Sequence, residues 1–253
     1  MVLRMIELKT QREIQIIKNN GKILAKTMKL IGERIRPGTK TKELDLLAEN
    51  FIKKQGAYPA FKGYRGFPSS ICVSINDEVV HGIPGERLIQ EGEIVSVDMG
   101  VFKDGYYADG AYSFLVGEVS AEAQRLVWVT QGALENALHF VKEGRYLSDI
   151  SHAIQSFVEE NGFSVVRDLV GHGIGKRLHE EPQIPNFGDP GQGVMLKKGM
   201  VLAIEPMVNV GSHHIDTRDD HWTIITRDGS LSAHFEHTVA VTENGTEVLT
   251  KDR

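Results

Sequence analysis

The sequence is poor in cysteine. Cys72 is the only one in 253 residues, so no internal disulfide can form, and a reducing compartment, the cytoplasm, is expected. No apolar run approaches the about 20 residues that a membrane helix needs. The chain also does not open with a basic segment leading into an apolar stretch, so neither a membrane span nor a signal peptide is expected. A strong charge bias is absent too: the net charge of -5 does not point to general nucleic-acid binding. No linker-like composition divides the chain.

The length suits one large domain, or two fused halves sharing a core. Charge is unevenly spread. Residues 1–54 carry 13 Lys/Arg and 6 Asp/Glu, a local +7 that leaves -12 for the remainder. An acidic excess in the later part suits a site for cations.

Thr10 and Glu13 form a T-x-x-E capping box. Ile14, Ile17, Leu24, Met28, Ile31 and Ile35 then follow helical spacing, and Pro37-Gly38 should end the run. A second helix is expected over about 41–55, stopped by Gly56. The plan returns later, with a helix from about 120 to 143 and another over 148–161. Segment 36–56 aligns without gaps on 142–162, matching Gly38 to Gly144, Leu44 to Ile150, Phe51 to Phe157 and Gly56 to Gly162. Two amphipathic helices can match by chance, but the strands also repeat. GEIVSVD at 92–98 parallels GMVLAIE at 199–205, setting Asp98 against Glu205. The expected fold is α+β: one catalytic domain over 1–253, made of two similar halves (about 10–116 and 120–245) related by a pseudo-twofold axis.

Strands at 94–100 and 106–115 flank Asp104-Gly105, a strong hairpin signal. A two-residue loop sets Gly100 opposite Asp109, so Asp98 and Asp109 become diagonal neighbours, about 7–8 Å apart at Cα. Glu205 closes the apolar run VLAIE and Pro206 extends its backbone. Glu236 lies in LSAHFEHTVAV, which reads as one alternating strand, and His172 sits between glycines in LVGHGIG. Any one of these acids alone would more often face solvent. Four carboxylates gathered in a cleft would repel one another, and two divalent cations would cancel their charge. Oxygen ligands with one imidazole suit Mn, Fe, Co or Zn.

The segments NDEVVHGIPG (76–85), DMGVFKDGYYAD (98–109), GHGIGKRLHEEP (171–182), GMVLAIEPMVN (199–209) and SAHFEHTVAVTENG (232–245) resemble the type I methionine aminopeptidases of the bacterial kind, in peptidase family M24. The resemblance covers essentially the whole chain. It implies the "pita-bread" (creatinase/aminopeptidase) fold, with a central antiparallel sheet and a metal site in the cleft. It further implies removal of the initiator methionine from nascent chains whose second residue is small, by a hydroxide bridging two metal ions. Asp98 would bind one ion, His172 and Glu205 the other, and Asp109 and Glu236 both. Glu205 would carry protons, His179 would stabilise the oxyanion, and His81 would lie near the substrate amine. Phe61, Tyr64, Phe67, Cys72, Leu178 and Trp222 match the methionine pocket. Leu178 departs from the family's usual phenylalanine. Gly110 stands where a hydroxyl residue is frequent, which puts a supporting hydrogen bond in doubt.

A proline-specific peptidase of the same fold and a non-catalytic binding module remain as alternatives. The first usually carries a large extra N-terminal domain, and the second has lost metal ligands. The resemblance implies a monomer. Lys18, Lys22, Lys26 and Lys29 form a stripe on the first helix that suits either a transient ribosome contact or a plain solvated face.

Overall fold

The computed structural model describes residues 6–251. Helices α1 (Gln11–Gly32) and α2 (Thr41–Lys54) lead into strands β1 (Tyr58–Pro59), β2 (Cys72–Ile75), β3 (Glu78–Val80), β4 (Ile94–Lys103) and β5 (Tyr106–Leu115). Helices α3 (Ala121–Leu138) and α4 (Leu147–Glu160) open the second half. They lead into β6 (Ser164–Val165), β7 (Val170–Gly173), β8 (Glu180–Pro185), β9 (Val201–Ile204) and β10 (Met207–Asn209). The chain closes with β11 (Ile215–Thr217), β12 (Ile224–Thr226), β13 (Ser232–His234), β14 (His237–Thr242) and β15 (Gly245–Val248). Among the described residues, no helix is long and apolar enough to cross a membrane.

The repeat seen in the sequence has a constant offset in three dimensions. Helix α1 closes at residue 32 and α3 at 138, while α2 spans 41–54 and α4 spans 147–160, so each differs by 106. Gly38 and Gly144 share φ near +87° and +83°, and Gly56 and Gly162 near +65° and +76°. These left-handed values fall where each chain must turn out of a helix, a conformation glycine adopts without steric cost.

At the start of α1, Thr10 Oγ1 accepts from the Glu13 backbone N–H, and Glu13 Oε2 accepts from the Thr10 N–H at 2.8 Å. The helical spacing through Ile35 overshoots the true end. The Arg34 N–H bonds to the Ile31 carbonyl at 2.8 Å, a tighter turn that closes the helix at Gly32. Helix α3 likewise stops short of the expected 143. The Phe140 and Val141 N–H groups reach only three residues back, and the Thr246 hydroxyl meets the Leu138 and Val141 carbonyls.

Each half packs its own core. Leu24, Ile31, Leu44 and Ile52 meet Val95 and Val97 in the first half, and Leu126, Ile150 and Ile154 meet Leu202 and Val239 in the second. A smaller cluster with Ile17, Ala108, Ala203 and Ala240 lies where the halves join.

Among the described residues the strands form four antiparallel sheets. Two dominate: β1, β2 and β5 on β4, and β15-β14-β9-β7-β8. The pair β9–β14 in the second half stands where β4–β5 stands in the first. Hydrogen bonds stitch the two ladders edge to edge. The Glu236 N–H donates to the Ala111 carbonyl at 2.9 Å, and Thr238 Oγ1 accepts from the Asp109 N–H at 2.9 Å while donating to its carbonyl at 2.8 Å.

Candidate metal centre and substrate cleft

The β4–β5 hairpin places the first two acids. Asp104 and Gly105 have φ of +53° and +81°, the pair of left-handed residues that a tight two-residue turn needs. Gly100 lies opposite Asp109 and Asp98 opposite Ala111, so the two carboxylates share one face. A Cβ on Gly100 would stand 2.7 Å from Ala60 Cβ and 2.9 Å from Phe61 Cε1. The bare backbone thus lets a wall of the cleft pack beside the acids.

Glu236 is not inside one continuous strand. The chain forms β13, breaks over Phe235 and Glu236, and resumes as β14 in a different ladder. The opposite strand breaks at the same level. His234 pairs with Met207 and His237 with Ile204, which leaves Glu205-Pro206 facing Phe235-Glu236 outside both ladders, with a long bond from the Phe235 N–H to the Pro206 carbonyl at 3.4 Å. Pro206 has no N–H to offer the ladder. Simple alternation cannot register a break that two strands share, and it is this break that brings Glu205 and Glu236 together.

His172 lies within β7, flanked by β8 and β9. Its glycine neighbours serve close approach rather than a turn. A Cβ on Gly171 would stand 2.5 Å from the Ala203 carbonyl oxygen, and one on Gly173 would stand 2.1 Å from that of Glu181. His172 Nδ1 donates to the Gly173 carbonyl at 2.9 Å. A carbonyl only accepts, so the proton sits on Nδ1 and Nε2 presents a lone pair. That Nε2 is 3.5 Å from Glu205 Oε1 and 4.0 Å from Asp109 Oδ2.

Asp109, His172 and Glu236 each offer one ligand atom within 4.8 Å of the others, and all three are buried. Asp98 Oδ1 and Glu236 Oε1 are buried with no hydrogen-bond partner. Among the described residues, no Lys or Arg pairs with any of the four acids, whose only close cationic-type neighbour is His172. Burial pushes the Asp98 carboxyl up to about 7. Asp109, Glu205 and Glu236 are raised well above their ordinary values, first by burial and then by each other's charge and that of Asp98. Burial holds His172 neutral, down at about 4. Orphaned carboxylate oxygens around a neutral imidazole are what divalent cations would satisfy, so the residues fit the metal ions that the sequence implies.

Phe61, Tyr64, Phe67, Cys72, His81, Leu178, His179 and Trp222 line the same cleft as the five candidate ligands. Phe67 meets Trp222 edge-on with ring centroids 5.2 Å apart. Leu178 is buried, and Cys72 pairs in register with Asp98. Burial and the Asp98 charge push the Cys72 thiol well up, so it stays protonated. His81 holds a left-handed backbone, φ +60°, just after β3, and burial lowers its pKa. The His179 ring lies 4.3 Å from that of His172 and stacks on Tyr64 at 5.3 Å. The Tyr64 hydroxyl and His179 Nδ1 are 2.8 Å apart. Burial, then His172, Arg65 and His81, pushes His179 down to about 3, so its ring is neutral.

Two residues escaped the sequence reading. Thr238, inside EHT, ties Asp109 to the second half through its hydroxyl. Arg65, in the loop FKGYRGF, lines the cleft. At Gly110, a Cβ would press within 3.2 Å of Leu24 Cδ2, so Leu24 fills the room a hydroxyl side chain would take.

A centre of this kind, shared by two copies of one α+β unit, is that of a metal-dependent hydrolase with the pita-bread fold. The model of metallopeptidase family M24 matches residues 15–243. Methionine aminopeptidase 1 of Bacillus subtilis is 53% identical over 98% of this chain and 100% of its own length. The crystal structure of a methionine aminopeptidase from Thermotoga maritima superposes with a TM-score of 0.97 at 48% identity, covering 98% of this chain and 100% of that one. An Xaa-Pro dipeptidase from Bacillus anthracis gives 0.78 at 25% identity, and only 62% of that chain is covered. The chain belongs to metallopeptidase family M24.

Proposed function

We propose that this M24 enzyme is a methionine aminopeptidase that hydrolyses the initiator methionine from nascent chains whose second residue is small. The observation that carries this reading is one cleft holding both halves of the requirement. Five candidate metal ligands meet an apolar pocket of Phe61, Phe67, Cys72, Leu178 and Trp222. A flexible thioether packs well against such aromatic faces. Similarity to relatives named methionine aminopeptidase, over nearly their full length, points the same way.

Two divalent ions would be held in one catalytic domain built from both halves, Asp98 on one, His172 and Glu205 on the other, and Asp109 and Glu236 between them. Bound there, such ions lower the pKa of water and polarise a carbonyl. Glu205 would take a proton from the attacking water and deliver it to the leaving amine as the C–N bond breaks, a general-base and general-acid cycle. His179 donates to the scissile carbonyl oxygen as negative charge develops there. Its proton for that task is on Nε2 when the Tyr64 hydroxyl donates to Nδ1. His81 lies where the substrate amine and scissile bond would stand. A free chain end would be required because the substrate's α-amine must reach the cluster of candidate ligands beside His81 in the cleft.

The enzyme would act in the cytoplasm as a monomer on emerging chains. Lys18 is tied to Glu247 at 2.5 Å, which leaves Lys22, Lys26 and Lys29 exposed for a transient ribosome contact. Assay of the Mn- or Co-loaded protein on Met-Ala-Ser and on Xaa-Pro peptides tests the substrate. Release of methionine is expected; cleavage of the Xaa-Pro peptides alone would overturn the reading.

A further inference from the structure

Among the described residues, Arg65 is the only Lys or Arg lining the cleft. Basic neighbours are neutralised by ion pairs: Lys62 by Glu49 at 2.8 Å, Lys176 by Glu13 at 3.6 Å and Arg177 by Glu7 at 3.4 Å. Among the described residues, no carboxylate lies within 4.0 Å of Arg65. Its side chain is exposed, with the guanidinium carbon 5.4 Å from the centre of the Tyr64 ring. The residue is also held in a left-handed conformation, φ +50° and ψ +20°, between Tyr64 and Gly66, whose own φ is +94°. A side chain as long as arginine is disfavoured there, and such backbone strain gathers at ligand sites.

Position then indicates what this cation can meet. Tyr64 stacks on His179 with centroids 5.3 Å apart, so the Arg65 guanidinium carbon lies within about 11 Å of the His179 ring centre. On the proposed function, His179 marks the scissile bond and the methionine fills the inner pocket. The rest of the substrate must leave towards solvent, and Arg65 is an exposed residue of the cleft lining. An extended chain advances about 3.3–3.6 Å per residue. The guanidinium is therefore in reach of the second and third residues after the cut.

We infer that Arg65 forms an outer subsite that binds a carboxylate on the departing part of the substrate, in particular an acidic side chain at the third position. Guanidinium matches carboxylate through paired N–H donors, and no protein group competes for it. This subsite rests on the aminopeptidase reading but is separable from it.

The test compares kcat/KM for Met-Ala-Asp-amide and Met-Ala-Lys-amide in the Mn-loaded enzyme and in Arg65→Asn and Arg65→Glu. Asparagine tolerates the left-handed backbone, so the first change removes charge while keeping the loop. Arg65→Asn should lower the Asp-to-Lys ratio by about two- to fivefold, the scale of an exposed ion pair, and Arg65→Glu should lower it further. The change should reside in KM, with kcat unmoved, and shrink as salt is raised. Met-Ala-Ala as free acid and as amide separates the two sources of a carboxylate. A loss confined to the free acid would mean that Arg65 reads the chain's C-terminus, and would overturn the side-chain assignment. An unchanged ratio in both variants, with Met-Ala-Ala-amide still cleaved, would overturn the subsite and leave the aminopeptidase reading standing. If the wild-type enzyme cleaves none of these peptides, both fall together.

Discussion

His172 Nε2 stands 3.5 Å from Glu205 Oε1, while its Nδ1 is committed to the Gly173 carbonyl. One hydrogen bond thereby fixes which nitrogen faces the acids. The nitrogen so presented is an unprotonated donor beside a carboxylate that lacks a basic partner. The two candidate site residues are thus held close by paired strands: His172 lies in β7, and Glu205 directly follows β9.

Glu205→Gln preserves the shape of that corner while removing the proton acceptor. With Mn content measured in the purified variant, kcat on Met-Ala-Ser should fall by about 10²–10⁴-fold. Activity within a few-fold of wild type at equal metal content would remove Glu205 from the proton path.

Metal removal should abolish hydrolysis and expose the strain of the clustered acids. For Asp98, the folded-state pKa is raised from 3.8 to about 7 by burial. Its neutral form therefore supports the fold below pH 3.8, and that support is lost as pH rises through about 7. Metal-free Asp98→Asn should consequently melt above metal-free wild type at pH 8 and alongside it at pH 4. A shift of about 2–4 °C corresponds to each 1 kcal/mol in a protein of this size. Added Mn should raise the wild-type melting temperature most at the alkaline end.

Tyr64→Phe tests whether the hydroxyl orients the neutral His179 ring across their 2.8 Å contact. Losing a bond worth about 1 kcal/mol should cut kcat roughly five- to tenfold, with KM little changed. A change in KM alone would show that Tyr64 only shapes the pocket wall.

Glu13 sits outside the cleft and gives a separate pH signature. The Tyr106 hydroxyl, then the Thr10 backbone, lowers its carboxyl from 4.5 to about 2. Its ionised form supports the fold above pH 4.5, and that support is lost as pH falls through about 2. Glu13→Gln should be less stable than wild type at pH 7 by about 1 kcal/mol, the scale of a lost cap. Denaturant midpoints of the two proteins should converge towards pH 2; a gap that persists there would assign the effect to packing.

Much of this architecture was legible because it depends on local rules. Asp104-Gly105 dictates a two-residue turn, and that turn alone sets Gly100 against Asp109. Glycines at 38, 56, 144 and 162 mark chain turns at a fixed spacing, so the repeat could be read before any packing was known. What stayed hidden depends on distant contacts. The break at Glu236 exists because β13 and β14 join different ladders, while the apolar positions Leu231, Ala233, Phe235, Val239 and Val241 keep one alternating phase across it. Helix α3 ends at Leu138 through contacts with Thr246, more than 100 residues away. Arg65 lines the cleft from a loop in which it is left-handed, and an arginine between Tyr64 and Gly66 carries no signature of that.

The seam where Thr238 clasps Asp109 makes the candidate metal centre a property of the pair of repeats and of neither one. Cut at the connection around 117–119, the molecule would divide into a piece bearing Asp98 and Asp109 and a piece bearing His172, Glu205 and Glu236. Each would be an incomplete chelator. Cation affinity would then report whether the pieces had found each other, turning the centre into a gauge of their reassembly.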